Sequence, residues 1–423
     1  MKLIEQSFQV TLTLILAMLV LVSSGMPPAE SADQVRHFTR TMEFDYISWT
    51  ADALLLKLGQ AALNAPRYLT IDEQRSVIKN YLKLVKDSDD ADYQIERIYA
   101  DPKMSDKAAG LQPWQEKQQV LRRQRAVLGP VAEEIIQKEI SEVLSDFGLA
   151  VGGQPLPPVL YHVTPLPYAL IISPRSVIRE DNNISLDPNV TLDQMVGLEK
   201  SVETGQDTSA LVTPIGGIGI YPTMVMSTSD LPWMLETVAH EWTHNYLTLR
   251  PLGLNYFTTP ALRTMNETTA NLVGKDVGQE LVRRYFPEYF PKPTPTPVPT
   301  PQGGKPTPAL TAQPAQFNFN KEMRITRVQT DALLKEGKIS EAEAFMEARR
   351  QVFWDNGYLI RRLNQAYFAF NGAYADSPGG GAAGEDPVGP AVLTLRKQSS
   401  SLAEFLNRIS RMTSFEELQK AIQ

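Results

Sequence analysis

The 423-residue chain contains no cysteine, which excludes disulfides, thiolate zinc sites and cysteine nucleophiles. Histidine is also scarce, with only 4 residues in the whole chain. Any protein ligands for a metal must therefore come from these few imidazoles and from carboxylates. Basic residues are outnumbered as well, with 41 Lys and Arg against 48 Asp and Glu and a net charge of −7. This excess of acidic residues argues against nucleic acid as a partner.

Two of the four histidines lie together in residues 237–246, TVAHEWTHNY, which contain the pattern H-E-x-x-H. On a helix, residues four positions apart share a face, so His240 and His244 can bind one cation. Glu241 lies between them, where its carboxylate can hold a water molecule and act as a general base. A glutamate in so apolar a segment is costly unless it faces such a site. The alternative is a pair of surface histidines that happen to flank a glutamate.

The same segment resembles the extended signature of zinc peptidases, with threonine first, uncharged residues around the histidines and a hydrophobic residue last. Downstream, an Asn-Glu pair at residues 266–267, followed by small residues, resembles the second motif of gluzincins. This group contains thermolysin-like enzymes and many zinc aminopeptidases. The resemblance covers residues 210–290 and implies that Glu267 joins His240 and His244 as the third ligand of one Zn²⁺ ion.

The resemblance implies roles for further residues. Asp276 and Glu280 are weaker alternatives for the third ligand, because they lie farther along the same predicted helix. Asn271 falls where thermolysin-like enzymes place an aspartate that orients a zinc histidine, and asparagine can accept that hydrogen bond but lacks the charge. Gluzincins also stabilise the tetrahedral oxyanion with a Tyr or His beyond the third ligand. No histidine follows this helix, so the donor would be Tyr, Arg or Asn, with Tyr367 and Tyr374 as candidates and core packing as the alternative for both.

A glycine-rich run just before the H-E-x-x-H segment is predicted to be a strand. In gluzincins, a strand at this position forms a sheet edge that pairs with the substrate backbone. Glycine lets a peptide approach closely, and Pro222 suits an edge strand. The predicted substrate-binding edge consists of Gly217, Ile218, Gly219, Ile220 and Tyr221. A purely structural strand is the alternative, and the run lacks the glutamate with which aminopeptidases bind the free amine of their substrate.

The spacing of apolar residues predicts an α+β fold that is mostly helical. The resemblance adds a zincin-like catalytic core, made of a small mixed sheet with an edge strand, the H-E-x-x-H helix and the helix of Glu267. Helical regions flank this core. The predicted divisions are a signal peptide or signal anchor at residues 1–32, an N-terminal helical region at 33–150, the catalytic core at 151–290, a Pro/Thr-rich linker at 291–316 and a C-terminal helical region at 317–423. The Pro/Thr-rich segment could equally be a long loop within one catalytic unit.

The N-terminus combines Lys2 with an apolar run at residues 10–22, followed by small residues and prolines. This pattern is typical of a secretory signal. The run is short for a membrane span, and the second interpretation is an uncleaved segment that anchors the chain to the membrane. Both interpretations place the body of the protein outside the cytoplasm, either secreted or on the outer face of the cytoplasmic membrane. A buried N-terminal helix is the alternative.

These observations predict an extracytoplasmic zinc metallopeptidase whose substrate is a peptide or protein and whose general base is Glu241. The rival hypothesis is a catalytically inactive, peptidase-like protein that serves as a surface binding or scaffold protein. Asn271 and the missing amine-binding glutamate favour the rival, whereas the intact H-E-x-x-H pattern favours the enzyme. A third option is a zinc hydrolase with a substrate other than peptide, because the motif indicates water activation and not the acyl group.

Overall fold

The computed structural model describes residues 31–100, 106–290, 317–372 and 387–423. Within these residues the chain is α+β and mostly helical, which confirms the coarse fold class expected from the sequence. The predicted Pro/Thr-rich linker, nearly all of the predicted signal segment and Tyr374 lie outside the described residues. Among the helices of the described residues, none is both long and apolar enough to cross a lipid bilayer.

Helices dominate both ends of the described chain, and short strands occupy its middle. The helices, in chain order, are α1 Ser31–Thr39, α2 Tyr46–Leu63, α3 Ile71–Ala100, α4 Lys107–Asp146, α5 Leu192–Gln206, α6 Leu231–Leu247, α7 Pro251–Leu254, α8 Pro260–Tyr285, α9 Phe319–Lys335, α10 Ile339–Asp355, α11 Gln365–Asn371, α12 Val388–Gln398, α13 Leu402–Ile409 and α14 Phe415–Ala421. The strands are β1 Ala150–Val151, β2 Gln154–Pro155, β3 Tyr161–Val163, β4 Tyr168–Pro174, β5 Asn182–Leu186, β6 Thr208–Thr213, β7 Gly217–Ile218 and β8 Thr223–Val225.

The strands of the described residues form three small sheets rather than one. In the first sheet, β8 lies between β3, which is parallel to it, and β7, which is antiparallel and forms an edge. The second sheet is antiparallel with the order β5–β4–β6, while β1 and β2 form a hairpin. The predicted strand at residues 217–221 is too long. Only Gly217 and Ile218 pair with β8, and the chain must reverse over residues 219–222 to make that antiparallel pairing.

The main apolar core lies between the N-terminal helices α3 and α4 and the central helices α6 and α8. Helix α3 begins with reciprocal hydrogen bonds between Thr70 and Glu73, a capping box that satisfies its first N–H groups. On α4, Ile136, Ile140 and Leu144 recur at helical spacing and are fully buried. Helices α12, α13 and α14 complete this same core. Helices α9, α10 and α11 form separate apolar clusters, of which one packs α11 against the second sheet.

Helices α6 and α8 pack directly on each other because two glycines of α8 leave room for the backbone of α6. A Cβ atom at Gly274 would lie 2.7 Å from the carbonyl oxygen of Glu236. One at Gly278 would lie 2.5 Å from the Cγ of the same glutamate. Any side chain at these positions would therefore push the two helices apart. This close packing sets the distance between the histidines of α6 and the side chains of α8.

Glu139 lies on the buried side of α4, and one of its carboxylate oxygens has no hydrogen-bond partner among the described residues. Burial, reinforced by the nearby Glu142, raises the pKa of Glu139 to about 8. The folded state therefore keeps a proton that the unfolded chain loses above its ordinary pKa of 4.5. The stability that depends on this proton is complete below the unfolded pKa and is lost as the pH rises through the folded pKa.

We expect Glu139→Gln to be less sensitive to rising pH than the wild type, because glutamine stays neutral. Above about pH 8 the variant should have the higher free energy of unfolding, by on the order of a few kcal/mol. Urea unfolding at about pH 5 and about pH 9 measures this difference. Glu116→Gln, an exposed change on the same helix, is the control. An identical pH dependence for Glu139→Gln and wild type would contradict the assignment of a proton to Glu139.

Candidate metal centre

His240 and His244 lie one turn apart on α6, with their imidazole Nε2 atoms 3.0 Å from each other. The helix begins after Asp230, whose side chain accepts a hydrogen bond from the backbone N–H of Trp233. Buried apolar residues on α6 hold the helix in the core. The two imidazoles therefore share one face of a well-anchored helix, as the H-E-x-x-H spacing requires.

Glu267 comes from α8 and is 3% exposed. Its Oε2 atom lies 3.5 Å from Nε2 of His240 and 3.5 Å from Nε2 of His244. The three predicted ligands are therefore adjacent, and among the described residues they form a group whose ligand atoms could hold one metal ion. The two weaker alternatives for the third ligand, Asp276 and Glu280, instead form ion pairs with arginines.

The three ligand atoms form a triangle with edges of 3.0, 3.5 and 3.5 Å. Zinc bonds of about 2.0–2.2 Å at tetrahedral angles place neighbouring ligand atoms about 3.4 Å apart. In addition, Oε2 of Glu267 is buried and has no hydrogen-bond partner among the described residues. A buried anionic oxygen without a donor is costly, and a bound cation would offset that cost. The residues present therefore fit one zinc ion.

A hydrogen bond to Nδ1 of His244 determines which nitrogen of this imidazole can bind a metal. Nδ1 of His244 lies 2.9 Å from the side-chain oxygen of Asn266 on α8. Because that oxygen can only accept, Nδ1 carries the proton in the neutral imidazole, and Nε2 presents its lone pair to the site. Asn266 immediately precedes the third ligand in the Asn-Glu pair, yet its contact was not predicted from the sequence.

The charges of the site depend on burial and on the close approach of acid to imidazole. Burial raises the pKa of Glu241, and Glu267 adds to this, while the two imidazoles act in the opposite direction. Burial also disfavours ionisation of Glu267, but the imidazoles of His244 and His240 outweigh it and hold the pKa of that carboxyl well below its usual range. For His244, burial lowers the pKa, but the Glu267 carboxylate outweighs it and brings the pKa to about 9. Glu267 is therefore anionic at neutral pH.

Strand β7 and the turn that follows it lie directly against the candidate metal centre. A Cβ atom at Gly217 would lie 2.5 Å from a carboxylate oxygen of Glu241, and one at Gly219 would lie 2.6 Å from the Cβ of His244. The other end of the turn is fixed in place, because the carbonyl oxygen of Ile220 accepts a hydrogen bond from Asn245 on α6 at 3.1 Å. The predicted substrate edge is thus beside the site, although it is shorter than an extended strand of five residues.

Tyr221, the last residue of the predicted substrate-binding edge, makes a hydrogen bond away from the site. Its hydroxyl donates to the carbonyl oxygen of Pro158 at 3.2 Å. Ile218 is paired in the strand with Met224 of β8. Within the predicted edge, Gly217 and Gly219 approach Glu241 and His244 so closely that a side chain would collide, which explains why the sequence places glycine at those positions.

A cavity of about 280 Å³ opens beside His240 and Glu241 and is also lined by Trp233, Asn271 and Lys275. Asn271, which was predicted to orient a zinc histidine, lines this cavity together with His240. The amide that contacts His244 is that of Asn266. Residues 266 and 271 lie on different faces of α8, so the contact to His244 does not test the role of Asn271, which stays a prediction.

Tyr256 and Arg263 also belong to the centre, and sequence analysis did not identify them. The Tyr256 hydroxyl donates a hydrogen bond to Oε1 of Glu267, and its ring lies edge-on to that of His244 with centroids 6.2 Å apart. Nε of Arg263 lies 3.3 Å from the Tyr256 hydroxyl oxygen. The only signal in the sequence was position, since Tyr256 lies in the short connection between α6 and α8.

Tyr367, a predicted oxyanion donor, lies on α11. Its ring packs with the cluster formed by Ile171, Leu211 and Ala366 at the second sheet, and burial raises its pKa to about 12. Among the described contacts, none joins its hydroxyl to His240, and its role as oxyanion donor stays a prediction. The other candidate, Tyr374, lies outside the described residues.

Comparison with known proteins adds nothing to this geometry. No protein-family model matches the chain, and neither the curated proteins nor the solved structures that were searched contain a match. Any function assigned to the site must therefore be argued from its own residues and distances.

We expect Gly219→Ala to destabilise the protein by about 1–3 kcal/mol, because the added methyl group collides with the Cβ of His244, which cannot rotate away. The turn must shift instead, and zinc binding should weaken with it. Chemical unfolding of the metal-free protein and a zinc titration measure the two effects. Gly59→Ala on α2, where the methyl group meets no atom within 4 Å, is the matched control. Wild-type stability and zinc affinity in Gly219→Ala would contradict the close contact.

Proposed function

We propose that this protein is an extracytoplasmic zinc metallopeptidase with a zincin-like core of the gluzincin type. The observation that carries the proposal is the convergence of His240, His244 and Glu267 on one point, close to the carboxylate of Glu241. Two imidazoles and one carboxylate leave one position of a tetrahedral zinc ion for water or substrate. A structural zinc site would need a fourth protein ligand, and the described residues supply three.

In this proposal His240, His244 and Glu267 hold the ion, and Glu241 moves the proton. When bound, zinc supplies a Lewis acid that polarises a carbonyl group and lowers the pKa of water. Glu241 accepts the proton of the attacking water on its carboxylate and passes it to the nitrogen of the leaving amine. Burial raises the pKa of Glu241, which favours its acceptance of the proton.

A peptide substrate is supported by the surroundings of the centre. Strand β7 is the edge of its sheet, and an extended peptide can add to such an edge through backbone hydrogen bonds. Gly217 and Gly219 have no side chain to keep a substrate from Glu241. The cavity of about 280 Å³ beside His240 has room for a side chain of the substrate. Action outside the cytoplasm is inferred from the apolar run at residues 10–22, which also offers a means of membrane anchoring.

The second candidate function is a peptidase-like surface binding or scaffold protein without turnover. Two observations favour it. An asparagine at position 271 occupies the place of the orienting aspartate, and the amine-binding glutamate of aminopeptidases is missing before α6. This candidate shares the zinc site with the first and differs in lacking hydrolysis, so an activity measurement on the zinc-loaded protein separates the two.

We expect Glu241→Gln to bind zinc like the wild type and to lose peptide hydrolysis by about 100-fold or more, because glutamine cannot accept the proton of water. Zinc content by mass spectrometry and digestion of a peptide library, each with and without a chelator, measure the two properties. His240→Ala should lose the metal as well as the activity. Retained hydrolysis in Glu241→Gln would remove this residue from the role of base, and a zinc-loaded wild type without hydrolysis would favour the scaffold protein.

A further inference from the structure

A chain of buried polar contacts leads from the second sheet to the third zinc ligand. Glu180, just before β5, lies 3.0 Å from a terminal nitrogen of Arg263, and their side chains are 5% and 8% exposed. Arg263 approaches the hydroxyl oxygen of Tyr256, and that hydroxyl donates to Oε1 of Glu267. Four polar side chains from three parts of the sequence thus follow one another in space, and the last of them is a proposed metal ligand.

The direction of each hydrogen bond in this chain follows from its donors. Arginine has N–H groups only, so the Tyr256 oxygen is the acceptor of the contact from Nε of Arg263. The single hydroxyl proton of Tyr256 is then directed to Oε1 of Glu267. This leaves Oε2, the oxygen without a hydrogen-bond partner among the described residues, facing both imidazoles.

From this series of contacts we propose that Tyr256 and Arg263 are positioning residues that select which oxygen of Glu267 binds zinc, and that Glu180 fixes Arg263 in turn. The inference rests on the proposed zinc site and extends it to the groups behind the ligand. With Oε1 bound to Tyr256, Glu267 can bind the ion through Oε2 alone and cannot rotate to bind through both oxygens. Groups behind a metal ligand typically change metal affinity by about 10–100-fold.

The same geometry gives Tyr256 a role other than oxyanion donor. A hydroxyl has one proton, and here that proton is used in the bond to Glu267. Arg263 has contacts beyond Tyr256 and Glu180. Another of its nitrogens donates to the carbonyl oxygen of Ala369 on α11 at 2.8 Å. Arg263 therefore joins α8 to the second sheet and to α11, and the orientation of Glu267 depends on both.

The test is the zinc affinity of the metal-free full-length protein, measured by competition with a chromophoric chelator. We expect Tyr256→Phe to raise the Kd for zinc by about 10–100-fold, because the change removes one hydroxyl and keeps the ring. Tyr285→Phe is the matched control, since Tyr285 donates to Glu142 at 2.6 Å in another part of the molecule. The control should keep the wild-type Kd. The metal-free Tyr256→Phe protein should unfold at a lower temperature, because Oε1 of Glu267 loses its donor. Its circular dichroism spectrum should still match that of the wild type, which separates positioning from a general loss of structure.

A double-mutant cycle tests whether the effect passes along the chain. Glu180→Gln should raise the Kd for zinc in the wild-type background and have no effect in the Tyr256→Phe background, because the link to Glu267 is then already broken. Equal effects of Glu180→Gln on the Kd in the two backgrounds would contradict the proposal that Glu180 acts on Glu267 through Arg263 and Tyr256. The visible spectrum of the cobalt-substituted protein should also change in Tyr256→Phe, as the coordination of Glu267 changes.

Failure of the inference can be told from failure of the proposed function. A wild-type protein that does not bind zinc would overturn both. A wild-type protein that binds zinc without cleaving peptides would overturn the peptidase and leave the affinity test of Tyr256 intact. A Tyr256→Phe protein with the wild-type Kd for zinc would overturn the positioning role, and a lower kcat at that unchanged Kd would assign the hydroxyl to the substrate instead.

Discussion

The candidate metal centre depends on how closely α8 can approach α6. Gly274 and Gly278 bring the two backbones so near that a single methyl group at either position would meet the chain of the other helix. At this separation the side chain of Glu267 reaches both imidazoles at 3.5 Å. The ligands are therefore placed by packed helices rather than by loops, which holds them more firmly than a loop could. The two glycines contact no ligand atom of Glu267 themselves, yet they determine where it lies.

The surroundings of the centre balance several buried charges. Glu241, Glu267 and Glu180 are all buried acids, and each would be costly alone in the core. Arg263 compensates the charge of Glu180, and the two imidazoles compensate that of Glu267. A divalent cation bound there would replace the charge of the imidazoles, because an imidazole that binds a metal is neutral. The arrangement thus uses the same charges for stability and for the proposed chemistry.

The sequence predicted those features of the site that depend on one helix, and failed where two elements meet. The shared face of the two histidines follows from helix periodicity alone, and the importance of Glu267 followed from a motif. The contact of Asn266 with His244 was not predicted, because the rotation of α8 is set by its packing on α6. Tyr256 was missed because its contact with Glu267 depends on how the connection between α6 and α8 folds, which helix periodicity does not predict. The edge at residues 217–221 was drawn too long, since the position of its turn depends on pairing with β8.

The shared core has a consequence for the covalent chain. Helices α12 to α14 lie beyond the Pro/Thr-rich segment in sequence, yet they complete the core around α6 and α8. Arg396 adds an ion pair of 2.9 Å to Asp276 of α8, and Leu252 bonds through its backbone to Ser410. The parts before and after residues 291–316 are therefore joined by noncovalent packing as well as by the peptide bond. A chain cut within that segment would remain one particle, as two fragments that complement each other.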